Sequence, residues 1–134
     1  MKYKVAFVCV GNSCRSQMAE GFTRKYADDI FEVYSAGTDP APEIKPNALK
    51  AMAETGIDIS KQYPKKLEDI PSRLDILITM GCGVECPYLP CDFREDWGLE
   101  DPAGKPIEEF RFTRDKVEKK VNNLIVDFKK GKII

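Results

Sequence analysis

The residues from Lys4 to Phe22, "KVAFVCVGNSCRSQMAEGF", carry the clearest secondary-structure pattern in the chain. The first part of this stretch, Lys4 to Val10, is a continuous apolar run, which is typical of a strand covered on both faces, as in a parallel sheet. From Arg15 to about Tyr26, apolar residues recur at helical spacing. The residues of this face are Met18, Ala19, Phe22 and Tyr26. The stretch therefore predicts a strand, a loop and a helix in succession.

Two further apolar runs predict strands. They are "FEVYSAG", Phe31 to Gly37, which the Pro-rich loop "TDPAPEIK" follows, and "LDILITM", Leu74 to Met80. Strands that alternate with helices indicate an α/β fold with a mostly parallel sheet and right-handed crossovers. Ligands of such sheets bind beyond the carboxyl ends of the strands. We therefore expect Cys9 and Cys82, which follow the first and third strands, at one rim.

Two more helices are predicted, with a long irregular segment before the second. Pro46 suits the first position of a helix that Gly56 ends, and its shared face is Leu49, Met52 and Ala53. A long helix is expected from about Pro106 to Lys130, with the apolar stripe Phe110, Val117, Val121, Leu124, Ile125 and Phe128. From Gly81 to Lys105 the sequence shows neither a strand pattern nor a helix pattern, and loops of this length are usually functional or disordered.

Composition limits the classes of function. The 134 residues predict one domain, 1–134, and 21 basic against 22 acidic residues (net charge -1) give no sign of a nucleic-acid or membrane surface. The beginning of the sequence lacks a signal-peptide pattern, and five cysteines without export signals favour a reducing, cytoplasmic setting. Histidine is absent, which excludes Cys-His dyads and His-ligated zinc. No metal or cofactor is expected.

The residues from Cys9 to Arg15 are typical of a loop that binds an oxyanion, and this loop is called the cradle below. Such a loop at a helix N-terminus can turn its backbone N–H groups inward, where the helix dipole adds positive potential. Gly11 permits a backbone conformation that a side chain would resist, Asn12 tolerates the left-handed region, and Arg15 offers a planar fork to two oxygens. We expect the anion to be bound by Val10, Gly11, Asn12, Ser13, Cys14 and Arg15.

The same field should stabilise a thiolate at Cys9, with Ser16 as a hydrogen-bond donor to the sulfur. Cys9 would then be a nucleophile at neutral pH, and an Asp in a loop would be its proton donor because histidine is missing. The alternative is that Cys9 is a packed strand cysteine and Arg15 a surface residue.

The segment "VCVGNSCRSQMAEGF" resembles the active-site segment of low-molecular-weight protein tyrosine phosphatases and of the thioredoxin-coupled arsenate reductases built on the same fold. The resemblance implies a three-layer α/β fold with a four-stranded, mostly parallel sheet and helices on both faces. It also implies that Cys9 is the nucleophile, Arg15 the oxyanion clamp, and Asn12 and Ser16 their supports. Cys14 occurs in both groups and does not separate them.

The cysteines of the long loop separate a reductase from a phosphatase. A reductase needs further thiols, and Cys82 and Cys86 meet that need. An extended step of four residues spans about 13 Å, which exceeds the ~4.4–6.8 Å between Cα atoms in a disulfide, so we expect the loop to coil on oxidation. There are two alternatives to this redox role. The loop cysteines could form a structural zinc site, in which Cys82 and Cys86 would be joined by Cys91 and Cys14, or they could be inert.

Two segments of the loop, "TMGCGVECPYLP" and "EDWGLEDPAGK", look like the redox loop and acid segment of the arsenate reductases. This resemblance implies reduction of arsenate, with phosphate or sulfate as analogues, through Cys9, Cys82 and Cys86. It makes Asp101 the general acid and a thioredoxin-type protein the reductant, and it implies weak phosphatase side activity. The alternative is a low-molecular-weight tyrosine phosphatase with redox-regulatory cysteines. Cys91 is a spare thiol or another resolver.

Some members of this group bind potassium through an Asn, a Glu, a Ser and an Asp. Asn12, Glu20 and Ser35 match these positions, but Lys65 stands where the Asp is expected. We therefore predict that the Lys65 ammonium replaces the cation or that no cation is bound.

Overall fold

The computed structural model describes residues 2–81 and 89–133. Strands and helices alternate through most of the chain, as the sequence predicts. In chain order they are β1 (Tyr3–Cys9), α1 (Arg15–Ala27), β2 (Phe31–Gly37), α2 (Pro46–Ala53), a 3-10 helix (Leu67–Asp69), β3 (Leu74–Thr79), β4 (Cys91–Asp96) and α3 (Ile107–Lys129). Within these residues, none of the helices has the length and apolar character needed to cross a membrane.

The four strands form one parallel sheet in the order β2-β1-β3-β4. The chain runs from β1 outward to β2 and then back across to β3 on the other side of β1. The strand order therefore reverses at the carboxyl ends of β1 and β3, where open α/β sheets bind their ligands. Cys9 is the last residue of β1, so the candidate nucleophile stands at this point.

The fourth strand corrects the expectation of an irregular segment from Gly81 to Lys105. β4, "CDFRED", pairs with β3 and lies at the edge of the sheet, where most of its residues are exposed or half-buried. Within β4, only Phe93 packs against the larger of the two apolar cores that flank the sheet. An edge strand with so little buried surface needs no apolar run, and the charged residues along it protect the edge from pairing with another chain.

Both faces of the sheet are covered. Along β1, Val5 and Phe7 face the three α-helices and join the larger core, whereas Ala6 and Val8 belong to a smaller core on the other side. Ile70, which directly follows the 3-10 helix, packs in that smaller core. The large apolar layer holds α1 and α3 against the sheet, which fixes the start of α1 beside the end of β1.

The helices differ from the predicted faces in two places. In α2, Pro46 is the first residue as expected, but Ala53 is exposed and the buried face is formed by Ala48, Ala51 and Met52. Tyr26 of α1 is 42% exposed, although its ring stacks on Phe22. The apolar stripe of α3 is confirmed: its first five residues are buried, and Phe128 packs against the core.

Glu54, directly after α2, fastens α2 to α3. Its carboxylate accepts hydrogen bonds from Arg111 Nη2 at 2.8 Å and from Arg114 Nη1 at 2.7 Å. These hydrogen bonds hold the pKa of Glu54 below its ordinary value, and the one from Arg111 has the largest effect. Because the folded-state pKa is lowered, the stabilisation is present above the ordinary carboxyl pKa and is lost as the pH falls through the lowered value.

We expect Glu54→Gln to melt at a lower temperature than the wild type at pH 7, with the difference shrinking below about pH 4, where the unfolded carboxyl takes up its proton. Thermal unfolding followed by circular dichroism across this range measures it. Glu43→Gln, at an exposed position, is the matched control. A melting difference that stays constant down to pH 2 would contradict the ion-pair account.

Candidate functional site

The carbonyl groups of the loop after β1 are all turned away from its centre. Each carbonyl from Cys9 to Ser13 accepts a hydrogen bond of 2.9–3.1 Å from a group outside the loop. The donors are the backbone N–H groups of Thr38, Asp39, Ala41 and Lys45 and the side-chain amide of Gln17. None of the N–H groups of Ser13, Cys14 and Arg15 donates to another residue that the structure describes. They are therefore available to an oxyanion at the start of α1.

Residues 38–45 hold these carbonyls in place. The sequence predicts only a Pro-rich loop for this segment and gives it no part in the site. Its backbone lies alongside the cradle and supplies four of the five donors. Backbone-to-backbone contacts of this kind depend on chain path and not on side-chain identity. The sequence therefore carries no direct signal for them.

Besides the hydrogen bond that its carbonyl accepts from Gln17, Asn12 makes three that brace the cradle. Its backbone N–H donates to Cys9 Sγ at 3.1 Å, and its side-chain Nδ2 donates to Ser16 Oγ at 2.7 Å. Its Oδ1 accepts from the backbone N–H of Lys65 at 2.8 Å. The residue has a φ of 49°, in the left-handed region. The left-handed conformation expected for Asn12 is therefore confirmed, and a Cβ on the neighbouring Gly11 would lie 3.2 Å from Ser13 Oγ.

The sulfur of Cys9 has two polar neighbours. Besides the Asn12 N–H, Ser16 Oγ lies 2.9 Å from Sγ. Because Ser16 Oγ already accepts from the Asn12 amide, its own hydrogen is free to point at the sulfur. Both neighbours can therefore donate a hydrogen bond to the sulfur. The Cys9 side chain is buried, at 2% exposure.

Arg15 is buried at the first position of α1, and its guanidinium is fixed from behind. Nη1 donates to the carbonyl oxygens of Leu99 at 3.0 Å and Met80 at 3.4 Å. Nη2 lies 3.8 Å from Asp101 Oδ2. These contacts orient the planar group without a partner on the cradle loop. The guanidinium can therefore bind an oxyanion that sits in the cradle.

Asp101 joins this group from the segment after β4. Its carboxylate is 49% exposed, and its Oδ1 accepts a 3.0 Å hydrogen bond from the N–H of Ala103. The turn aims one oxygen at the backbone and leaves the other beside Arg15. The structure therefore brings the predicted acid and the predicted clamp into contact.

Cys14, the second thiol of the cradle, is unsuited to nucleophilic attack. Burial raises the pKa of the Cys14 thiol far above its ordinary range, and the negative charges of Asp101 and Cys9 raise it further. The thiol therefore remains protonated at neutral pH. Cys14 packs in the larger core instead.

Two glycines allow close backbone approaches at the site, Gly37 to the cradle and Gly81 to the segment that carries Leu99. A Cβ on Gly37 would lie 2.4 Å from Val10 O, and one on Gly81 would lie 2.5 Å from Leu99 N. Gly81 also has a φ of 114°. A glycine at the end of a predicted strand is the signal that could have identified Gly37.

Two predicted redox residues, Cys82 and Cys86, lie outside the described residues. Cys91, at the start of β4, is half-buried and packs against the smaller core.

We expect Ser16→Ala to slow alkylation of Cys9 at neutral pH by about 10- to 100-fold, the factor for losing one hydrogen bond to a charged group. Peptide mapping by mass spectrometry follows the reaction with iodoacetamide at this position. Thr23→Ala is the matched control, because it removes from the same helix a buried hydroxyl that has no hydrogen-bond partner among the described residues. Equal rates in the two variants would show that Ser16 does not support the thiolate.

Gly37→Ala should weaken binding of inorganic phosphate by about tenfold or more, because overpacking of ~1–3 kcal/mol falls on the backbone that holds the cradle. Isothermal titration calorimetry measures the affinity. Gly131→Ala serves as the control: its φ of 73° strains an alanine as well, but far from the cradle, and its Cβ meets no described atom within 4 Å. An unchanged affinity in Gly37→Ala would contradict the close approach.

Comparison with known proteins agrees with this geometry. Arsenate reductase 2 of Staphylococcus haemolyticus is 42% identical over 121 residues, which cover 87% of this chain and 92% of that protein. The structure of an arsenate reductase in the phosphate binding state superposes with a TM-score of 0.87 at 43% identity and covers 95% of this chain and 98% of the other. The thioredoxin-dependent arsenate reductase of Corynebacterium glutamicum gives a TM-score of 0.79 at 34% identity, with 97% of this chain and 63% of the other covered.

A family model extends over nearly the whole chain. The model for low molecular weight phosphotyrosine protein phosphatases matches residues 4–133. The match includes the cradle, the sheet and α3, and it agrees with the resemblance of the cradle segment. The chain belongs to the low molecular weight phosphotyrosine protein phosphatase family.

Proposed function

We propose that this chain is a single domain that reduces arsenate to arsenite, with Cys9 as the nucleophile. The observation that carries the proposal is the cradle. It offers inward N–H groups, a buried Arg15 and a hydrogen-bonded Cys9 sulfur to one tetrahedral oxyanion. Relatives with 42–43% identity are arsenate reductases, which favours arsenate over a phosphorylated protein as the anion.

The first chemical step joins sulfur to arsenic. The Cys9 thiolate attacks As(V) while the cradle N–H groups and Arg15 bind the remaining oxygens. One oxygen departs as water, and Asp101, beside Arg15, supplies its proton. Preorganised donors around developing charge are a large source of rate enhancement. The product of this step is a Cys9 thioester of arsenate, still at the As(V) level.

The second step reduces the arsenic. Cys82 attacks Cys9 Sγ and forms a Cys9–Cys82 disulfide, and the electron pair of the S–As bond goes to arsenic, which leaves as arsenite. Cys82 stands two positions after Met80, whose carbonyl accepts from Arg15. The segment that carries Cys82 therefore starts at the cradle, which supports its choice as the resolving thiol.

The last steps restore Cys9. Cys86 attacks Cys82 and forms a Cys82–Cys86 disulfide, which frees the Cys9 thiolate. A thioredoxin-type dithiol protein then reduces this disulfide, as the thioredoxin-dependent relative suggests. Free thiols that must return to the reduced state suit a reducing compartment, and we place the reaction in the cytoplasm. Cys91 is not part of this relay, because it packs against the smaller core.

Weak hydrolysis of phosphate monoesters is proposed as a side activity. Phosphate and arsenate share shape and charge, a related reductase has been solved in a phosphate binding state, and the chain belongs to a phosphatase family. The cradle that activates arsenic also presents a thiolate to phosphorus. Hydrolysis of this kind needs Cys9 and Asp101 but no further thiol.

Cys82→Ser separates the two activities. We expect it to abolish arsenite formation while hydrolysis of an aryl phosphate stays within about twofold of the wild type, since Ser cannot form the disulfide. The measurement is the arsenite yield per enzyme in one turnover of pre-reduced protein from which the reductant has been removed, so that no added thiol can replace Cys82. Cys91→Ser is the matched control and should keep the wild-type yield. Loss of arsenite in Cys91→Ser but not in Cys82→Ser would assign the resolving role to Cys91.

A further inference from the structure

Behind the cradle, the buried side chains of Glu20 and Ser35 meet the partly buried Lys65 and the more exposed Arg24 and Tyr63. The Glu20 side chain is 5% exposed. Its Oε1 accepts a 2.6 Å hydrogen bond from the Ser35 hydroxyl, and its Oε2 accepts a 2.9 Å hydrogen bond from Arg24 Nε. The Lys65 ammonium lies 3.7 Å from Oε1. The carboxylate is thus surrounded by donors and by two positive charges.

The Lys65 ammonium is held like a bound cation. It donates a 2.7 Å hydrogen bond to the carbonyl of Tyr63 and lies 4.7 Å from the centre of that ring. The Lys65 side chain is 13% exposed. Burial lowers the pKa of Lys65, and the Glu20 carboxylate opposes this effect. A carbonyl, a carboxylate and an aromatic face are the neighbours that stabilise an ammonium in a partly buried site.

The backbone of the same residue supports the cradle. The Lys65 N–H donates to Asn12 Oδ1 at 2.8 Å, and the Lys65 carbonyl accepts from the Gly37 N–H at 2.8 Å. Asn12 in turn donates to Cys9 and Ser16. Lys65 therefore links the Glu20 carboxylate, through its side chain, to the cradle, through its backbone.

These residues do not fit the potassium ion that the resemblance implies for some members. The Glu20 carboxylate already faces Lys65 and Arg24, so a further cation beside it would be repelled. Asn12 Oδ1 already accepts from Lys65. The oxygens that would bind the ion are used by groups of the chain itself.

We propose that the Lys65 ammonium is a built-in cation that positions Asn12, so that the cradle binds its oxyanion without an added monovalent ion. Lys65 is a positioning residue, since it acts on the anion through Asn12. The inference concerns the site of the proposed function and rests on it only where arsenate turnover is measured. Binding of inorganic phosphate tests it independently of arsenate reduction.

The experiment measures phosphate affinity by isothermal titration calorimetry in potassium chloride and in choline chloride of equal ionic strength. The wild type should bind phosphate equally in both salts. Lys65→Met removes the charge but keeps most of the stem, and it should bind about tenfold more weakly in both, the factor for ~1.4 kcal/mol. Lys61→Met, an exposed lysine four residues earlier in the sequence, should match the wild type.

A second variant supplies a carboxylate in place of the ammonium. Lys65→Asp should bind phosphate weakly in choline chloride and recover in potassium chloride, because Asp and Glu20 then offer oxygens to a hard cation. Its melting temperature should rise with potassium, whereas that of the wild type should not. This recovery is a response that a merely structural role for Lys65 would not give.

Two results would overturn the proposal. One is a Lys65→Met variant with wild-type phosphate affinity. The other is a wild-type protein that binds phosphate more tightly in potassium chloride than in choline chloride. This second measurement needs no variant, so it tests the proposal even if the variants do not fold. Wild-type protein that binds phosphate as expected but forms no arsenite would refute the proposed function and leave this inference standing.

Discussion

The site depends on the hydrogen bonds that hold the five carbonyl groups of the loop from Cys9 to Ser13. Each backbone unit has one N–H and one C=O on opposite sides, so fixing the carbonyls outward makes the N–H groups face the centre of the loop. The N–H groups that converge there carry partial positive charge, to which the start of α1 adds its dipole. The chain thus builds an anion site from backbone atoms before Arg15 contributes its full charge.

The sheet determines where this loop lies and what meets it. β1 and β3 are neighbours, and the strand order reverses between them, so the segments after both strands meet at one rim. That is why Arg15 reaches the carbonyl of Met80 and the carboxylate of Asp101, which follow β3 and β4. In a chain without histidine, the polar chemistry at this rim is carried by thiols, an arginine and carboxylates.

Local patterns made part of this architecture predictable. The apolar run of β1, the helical spacing of α1 and the cradle between them lie within one stretch, and the structure confirms the strand, the loop and the helix. β4 could not be found in the same way, because an edge strand needs few buried side chains. Asn12 was expected to tolerate the left-handed region, and it has a φ of 49°.

Other parts of the site arise from contacts between distant segments. The donors at residues 38–45 act through the backbone, and the contact of Glu20 with Lys65 joins α1 to the segment before the 3-10 helix. No periodicity in the sequence encodes such distances. Gly37 is predictable in part. Its place at the end of a strand can be read from the sequence, but the reason that no side chain fits there is the carbonyl of Val10 beside it.

In the proposed reaction, the electron pair of the bond between Cys9 Sγ and arsenic passes to arsenic while the oxyanion is held in this cradle. The most direct measurement mixes the fully reduced wild-type protein with arsenate, quenches the reaction over time, and determines arsenite and disulfides together. The account predicts one arsenite per chain, with a Cys9–Cys82 bridge that appears before a Cys82–Cys86 bridge. Five intact thiols and no arsenite, in protein that still hydrolyses an aryl phosphate, would contradict it and identify a phosphatase.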